Sequence, residues 1–177
     1  MKKLYMKKII FLSLLILVVT SCATRTPAEK AMDEAQKELS YQLAVQSLND
    51  RTFVVEADKL MFKRGRTAFV SSNSNFVMVN GNEATVQIAF TSSRFAGPNG
   101  IGGITLDGTI SNVEMKQRKN GSVDYSFNVQ GVGISAQVNL QLSSSGNYAQ
   151  VTVNPTFSSN RVNFSGYLVP LEESSVY

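Results

Sequence analysis

Histidine and tryptophan are absent from this 177-residue chain, and cysteine occurs once. Without histidine the chain lacks the usual general base near neutral pH, the commonest zinc ligand and any Ser-His or Cys-His nucleophile pair. Without tryptophan, any sugar-stacking platform falls to tyrosine or phenylalanine. A lone cysteine excludes an intramolecular disulfide, so the folded domain must be held by its own core. The most apolar stretch, Ile9 to Val19, is shorter than the ~20 residues that a membrane-spanning helix needs.

That short apolar stretch follows Lys2, Lys3, Lys7 and Lys8 and leads into Val19-Thr20-Ser21-Cys22. A basic start, a short greasy middle and small residues before a cut form a bacterial secretory signal. The single cysteine falls immediately after the expected cut, where a lipoprotein signal places the residue that is acylated. The sequence therefore predicts a lipoprotein signal peptide over residues 1–21, with Cys22 lipidated. The alternative is an ordinary secreted protein with a stray thiol. One acyl chain binds a membrane marginally, at ~0.8 kcal/mol per buried CH₂, and two or more hold it stably. The mature protein is expected to be anchored to a membrane without spanning it.

The formal charge of +4 belongs to that leader. Setting its four lysines aside leaves thirteen basic residues against thirteen acidic ones. Nucleic-acid binding needs a basic surface that releases counterions, so a nucleic-acid partner is not expected. Lys63-Arg64-Arg66 and Lys116-Arg118-Lys119 read as solvated turn ends. Residues 22–177 are long enough for one domain with a substantial core.

Thr26-Pro27-Ala28-Glu29 reads as a helix start, with a threonine cap, proline at the first helical position and glutamate at the third. Ala28, Met32, Ala35, Leu39 and Leu43 then fall on one stripe at helical spacing, while Tyr41, Val45 and Leu48 lie on the opposite side, so the second half is apolar more nearly all round. Residues 22–50 are read as anchor and helical spacer, the far end of the helix docking on the domain.

After Asp50 the period changes to two. Ala84, Val86, Ile88 and Phe90 alternate with polar or small residues. So do Val123, Tyr125, Phe127 and Val129 with Asp124, Ser126 and Asn128, and Ile134, Ala136, Val138, Leu140 and Leu142 with Ser135, Gln137, Asn139 and Gln141. Ala149, Val151 and Val153 form a further set, and Val162, Phe164 and Leu168 line the last strand. One wet and one buried face mark antiparallel sheet. Asn80-Gly81 and Asn120-Gly121 read as type I′ hairpin turns, and Ser145-Gly146-Asn147 closes a third hairpin. A parity switch between Ile110 and Val113 predicts a bulge near Ser111-Asn112. Gly131 and Gly133 bend one long strand or separate two. The expected fold is mainly β: an antiparallel barrel or sandwich of about eight strands over residues 51–177, preceded by one N-terminal helix. An eight-stranded barrel is just wide enough to be filled by side chains or to hold one small ligand. Phe90, Tyr125, Phe127, Leu140 and Phe164 are candidates to fill it.

Few residues suggest chemistry. Gly131-Val132-Gly133-Ile134-Ser135-Ala136 matches a relaxed dinucleotide pattern, but strand alternation resumes where a helix N-terminus would be required. Glu56, Asp58, Glu83, Asp107, Glu114 and Asp124 are scattered, and a glycosidase needs two carboxylates facing across a cleft. The unusual segment is 94–104, in which hydrophobic residues are set among four glycines with almost no charge. Glycine lets backbone approach a partner closely, and loops often carry function. Its bland reading is a packed flap over one barrel end. As a ligand site it would use Arg94, Phe95, Asn99 and Ile101, with Arg161 as a further contact. No catalytic residue, metal ligand or cofactor is expected.

Three stretches are similar to a known family: Phe-Val-Val-Glu-Ala-Asp at 53–58, Gly-Pro-Asn-Gly-Ile-Gly-Gly-Ile-Thr at 97–105 with Asp107-Gly108-Thr109, and Ser-Asn-Arg-Val-Asn-Phe-Ser-Gly at 159–166. They resemble the lipoprotein family of Bacteroides-type bacteria known as domain of unknown function 4251, over roughly residues 30 to 170. The resemblance implies a β-rich envelope lipoprotein and brings no catalytic residues with it. Family members often show Tyr-Phe-Gly where this chain has Arg94-Phe95-Ala96-Gly97. Ala23 to Pro27 lacks the acidic run of surface-exported lipoproteins in this bacterial group, which implies an outer-membrane protein facing the periplasm. The expected function is a membrane-anchored, non-enzymatic domain that binds an apolar or amphipathic small ligand or a protein partner. The alternatives are a structural or assembly lipoprotein with a filled core and, third, a hydrolase.

Overall fold

The computed structural model describes residues 26–61, 65, 67–90, 102–156 and 161–176. Helix α1 spans Pro27–Asp50. Its start is the reciprocal cap that the sequence predicts: Glu29 N donates to Thr26 Oγ1 at 3.2 Å and Thr26 N donates to Glu29 Oε2 at 2.7 Å. The chain divides into two units, Met1–Glu34 and Ala35–Tyr177, and the helix from Ala35 onward belongs with the sheet.

That second half docks, and it does so through the side that carries Tyr41, Val45 and Leu48. Leu39 is 58% exposed, whereas Ala44 and Leu48 are fully buried and Tyr41 and Val45 pack beside them. Tyr41, Ala44, Val45 and Leu48 recur at i, i+3, i+4 and i+7, a denser apolar face than the alanine-rich stripe. The Tyr41 hydroxyl ties the helix to the sheet, donating to the Gly121 carbonyl at 2.5 Å and accepting from Gln117 Nε2 at 3.0 Å.

Nine strands follow: β1 (Thr52–Met61), β2 (Thr67–Phe69), β3 (Asn75–Asn80), β4 (Glu83–Phe90), β5 (Gly102–Gln117), β6 (Val123–Gly131), β7 (Ser135–Leu142), β8 (Tyr148–Pro155) and β9 (Val162–Pro170). Each strand from β3 to β9 pairs with the next, and β1 pairs with β3 on one edge and β9 on the other. The result is a closed eight-stranded antiparallel barrel rather than a sandwich. Short β2 adds a ninth strand against the second half of β1.

The interior is apolar and packed. Phe53, Leu60, Ile88, Phe127, Leu142, Phe164 and Leu168 are fully buried there. Of the predicted fillers, Tyr125, Phe127, Leu140 and Phe164 point inward and are buried; the Phe90 side chain lies outside the described set. Tyr125 meets Phe53 edge-on at 5.5 Å and Phe127 at 6.1 Å. Its hydroxyl is buried without a hydrogen-bond partner among the described residues, and burial pushes its pKa up.

Three irregularities shape the barrel. In β5 the register shifts between Ser111 and Glu114, with Asn112 at φ 51°, which is the predicted bulge. A second shift lies in β1 between Ala57 and Lys59, opposite β9. Beside it Gly166 allows a close approach: a Cβ there would sit 1.9 Å from the Glu56 carbonyl oxygen. The third is the C-terminal segment, where Leu171–Glu173 forms a 3-10 turn packed on β1 and β3. Val54 and Phe76 point outward yet are buried there. Glu56 Oε1 holds the segment, accepting from Ser174 Oγ, Ser175 N and Ser175 Oγ at 2.8, 2.8 and 3.0 Å.

Two turns differ from expectation. Asn80 pairs with Glu83, so the first hairpin turns on Gly81-Asn82, with positive φ only at Gly81. Positive φ at the first central position alone fits type II′, not I′. In the second hairpin, Gly121 N donates to Arg118 O, Arg118 N donates to Ser122 O and Gly121 has φ 84°. This is a three-residue loop ending in a left-handed glycine. In both, strand register rather than the Asn-Gly dipeptide sets the turn. Gly131 and Gly133 separate β6 from β7, Gly131 N donating to Ile134 O.

Gly166→Ala is expected to destabilise the barrel by ~3 kcal/mol or more, since the methyl group meets backbone and forces the closing strands apart. Thermal melting checks this, and an unchanged midpoint would mean that the seam has slack. Tyr125→Phe is expected to leave stability unchanged or raise it by up to ~1 kcal/mol, because it removes an unpaired buried hydroxyl. A clear loss of stability would show that the hydroxyl is bonded in solution.

Candidate functional site

The outer face of β5–β8 carries a concave polar site of about 460 Å³. It is built by the same alternation that fills the barrel: residues between the buried ones must point outward. Pairing aligns them in rows. Glu114, Ser126, Asn139, Thr152 and Asn163 form one row, and Lys116, Asp124, Gln141, Gln150 and Ser165 the next. Amides and hydroxyls hold the centre, and charge gathers at the β5 end, where Arg118 Nε donates to Asp124 Oδ2 at 2.5 Å. The Arg118 hydrogen bond, assisted by one from Gln141, holds the Asp124 carboxyl below its ordinary value of 3.8.

Hydrogen-bond accounting separates this face into tied and untied groups. Thr152 Oγ1 donates to Asn163 Oδ1 at 2.9 Å, and Gln141 Nε2 donates to Asp124 Oδ1 at 3.3 Å. Ser126, Asn139 and Gln150 have no side-chain partner among the described residues, although Ser126 and Asn139 are half-buried. One rim is aromatic: Tyr148 and Tyr167 meet edge-to-face at 5.1 Å, and Tyr167 is half exposed. The Tyr148 hydroxyl is fixed, 2.8 Å from Ser165 Oγ and 3.1 Å from Asp58 Oδ1.

Of the residues singled out from the sequence, Cys22, Arg94, Phe95, Asn99 and Ile101 lie outside the described residues. Arg161 is described: it is exposed, stands just before β9, and makes no hydrogen bond or ion pair with another described residue. The topology does bring the flanks of both candidate stretches together. Antiparallel pairing puts the end of β4, the start of β5 and the start of β9 at the barrel end opposite α1's docked half. The outer rows were visible in the sequence as the polar halves of the alternation, but a wet face and a binding face share one pattern. Their richness in asparagine and glutamine was the available signal.

Four of the six sheet carboxylates singled out above make side-chain bonds within the fold. Glu56 holds the C-terminal segment, Asp58 faces Tyr148, Asp107 accepts from Thr85 Oγ1 at 2.7 Å, and Asp124 is paired with Arg118.

Comparison with known proteins places this architecture. The model of the family described as "Domain of unknown function (DUF4251)" matches residues 35–168. The chain belongs to this family. A crystal structure of a DUF4251 family protein from Bacteroides eggerthii is similar at 48% identity and a TM-score of 0.74, over 81% of this chain and 95% of that one. No curated protein matches the chain. Two of the stretches that carry the family resemblance fall on β1 and β9, the strands that close the DUF4251 barrel.

The Arg118–Asp124 pair gives the face a pH dependence. Because the folded carboxyl has the lower pKa, the pair adds stability above the unfolded value, and this is lost as pH falls through the folded one. Arg118→Met is expected to move the Asp124 titration upward, toward its ordinary value, as followed by NMR. An unchanged titration would mean that the bond does not persist in solution.

Proposed function

We propose that this DUF4251 protein is a lipid-anchored envelope protein whose barrel is a non-enzymatic binding domain, filled inside and engaging its partner through its outer surface. The packed interior carries this reading. Fully buried phenylalanines and leucines occupy the space in which a lumenal ligand would sit, so the filled-core alternative is favoured over an apolar ligand held inside. The engagement of Glu56, Asp58, Asp107 and Asp124 in structural bonds supports a non-enzymatic role.

The anchor rests on the sequence around Cys22. Among the described residues no helix is long and apolar enough to cross a membrane. The barrel is also apolar inside and polar over its β6–β8 exterior, the reverse of a membrane-spanning barrel. An acyl chain on Cys22 accounts for membrane attachment, and the missing acidic run after it favours the periplasmic side of the outer membrane. A protein partner on the barrel's exterior, or at the end where β4 finishes and β5 begins, fits the same frame.

Radiolabelled palmitate is expected to enter the native protein and not Cys22→Ala, which should leave the membrane fraction or remain uncleaved. Equal labelling of both would remove the anchor. Native mass spectrometry of protein from its own membranes is expected to show the acylated chain without a further bound lipid. A stoichiometric apolar molecule would restore the lumenal reading. A photocrosslinking residue at Asn139 is expected to capture an envelope component in cells, and its silence would count against the outer face.

A further inference from the structure

From the outer face of β5–β9 we infer a binding site for an uncharged oligosaccharide, laid across the strands with its rings over the two polar rows. The inference rests on the proposed reading that the barrel engages its partner from outside.

Ligand chemistry follows from what the face offers. Its centre presents Ser126, Asn139, Gln141, Gln150, Thr152 and Asn163, and no net charge. An amide supplies donors and an acceptor on one group, and a hydroxyl does both. That mixture complements a polyol, whose every hydroxyl also donates and accepts. A phosphate or carboxylate polymer would need cations. The cations present, Lys116 and Arg118, sit at one end beside Glu114 and Asp124, with Arg118 already bonded.

Geometry agrees with a chain of rings. The rows cross five strands, which at ~4.8 Å per strand gives a track of about 19 Å, room for about four sugar units. Strand spacing is close to the length of one pyranose, so successive rings can meet successive strands. The groups without a side-chain partner among the described residues, Ser126, Asn139 and Gln150, lie on this track. Half-buried polar atoms lose little hydration to a ligand that replaces it with equivalent hydrogen bonds.

At the β9 side the half-exposed ring of Tyr167, braced edge-on by Tyr148, offers an apolar surface to the C–H face of a sugar. Tyr148 pairs with Tyr167 and Gln150 with Ser165, so the rings flank the polar rows at a distance of one strand repeat. Tyr148 is locked by Asp58 and Ser165, so the platform is preformed. Peptide recognition by strand addition is unavailable on this face, because barrel closure leaves it no free edge.

The test is isothermal titration of the full chain in detergent with maltohexaose, cellohexaose and N-acetylchitohexaose, at low and high salt. At least one is expected to bind with an affinity that salt does not change. The double variant Asn139→Ala/Gln150→Ala, and separately Tyr167→Ala, should each weaken binding at least about tenfold. The melting curve of the double variant should be unchanged, because Asn139 and Gln150 have no side-chain partner among the described residues, and that of Tyr167→Ala should fall only by the few degrees that losing its ring contact with Tyr148 costs. The site is wrong if none of the three sugars binds, if binding weakens steeply with salt, or if both variants bind as the native chain does. A retained photocrosslink from Asn139 alongside such a failure would keep the outer face as a binding surface and remove only the sugar. Loss of both would remove the face itself.

Discussion

Pairing between β1 and β9 joins the two ends of the domain, from Phe53 opposite Pro170 to Met61 opposite Asn163. The rest of the architecture depends on this seam. Without it, eight strands would form an open sheet with two long unpaired edges, which invite association. Closure requires the strands to twist and to come close. The register shift at Asp58 and the missing side chain at Gly166 provide both, since even one methyl group at 166 would strike the Glu56 carbonyl. The same few residues then serve neighbouring functions. Glu56 turns outward to hold the C-terminal segment, and Asp58 meets Tyr148 on β8. The seam is therefore a node where closure, the C-terminal cover and the aromatic rim meet.

Seen from the seam, two of the family's recognisable stretches have a physical meaning. Residues 53–58 are most of β1, and 162–166 are the half of β9 that faces the bulge. Gly108, in the third stretch, pairs with Gly131, and a Cβ at 108 would lie 2.2 Å from the Gln130 carbonyl oxygen. Gly166 and Gly108 are constrained by backbone approach. A family resemblance carried by such residues speaks for the fold.

Sequence periodicity made the strands legible where one face is buried and the other wet. Val123 to Val129 and Ala136 to Leu142 point inward as alternation requires, and the parity switch near Asn112 is a bulge. Closure was not legible, because pairing between Phe53 and Pro170 leaves no local mark. The short strand β2 was missed: three residues are too few to show a period. The docking of the helix's far end was legible but its buried face was not, because Leu39 and Ala35 look as apolar as Ala44 and Leu48, and only the barrel end decides which set is buried. Turn types failed for a similar reason, since an Asn-Gly pair fixes a turn only once strand register is known. The outer rows were read as residues but not as a site, because alternation reports that a side chain faces water and not what else it can face.

Filling and closing the barrel narrow the ways in which it can recognise anything. A packed lumen leaves no room inside, and the closed ladder offers no strand edge beyond the three residues of β2, so in the proposed reading specificity comes mainly from side chains on the exterior or from the connections at the barrel ends. On the β6–β8 exterior those side chains are mainly neutral amides and hydroxyls, whose hydrogen bonds each exchange for water at small net gain, about 0.5–1.5 kcal/mol. Recognition by such a surface is weak per contact and gains from repetition, which the two parallel rows supply. Lipid anchoring, in the reading proposed for Cys22, acts in the same direction. Confining the domain to a membrane surface raises its effective concentration toward anything else fixed in the envelope, so that contacts too weak to hold a freely diffusing protein become sufficient.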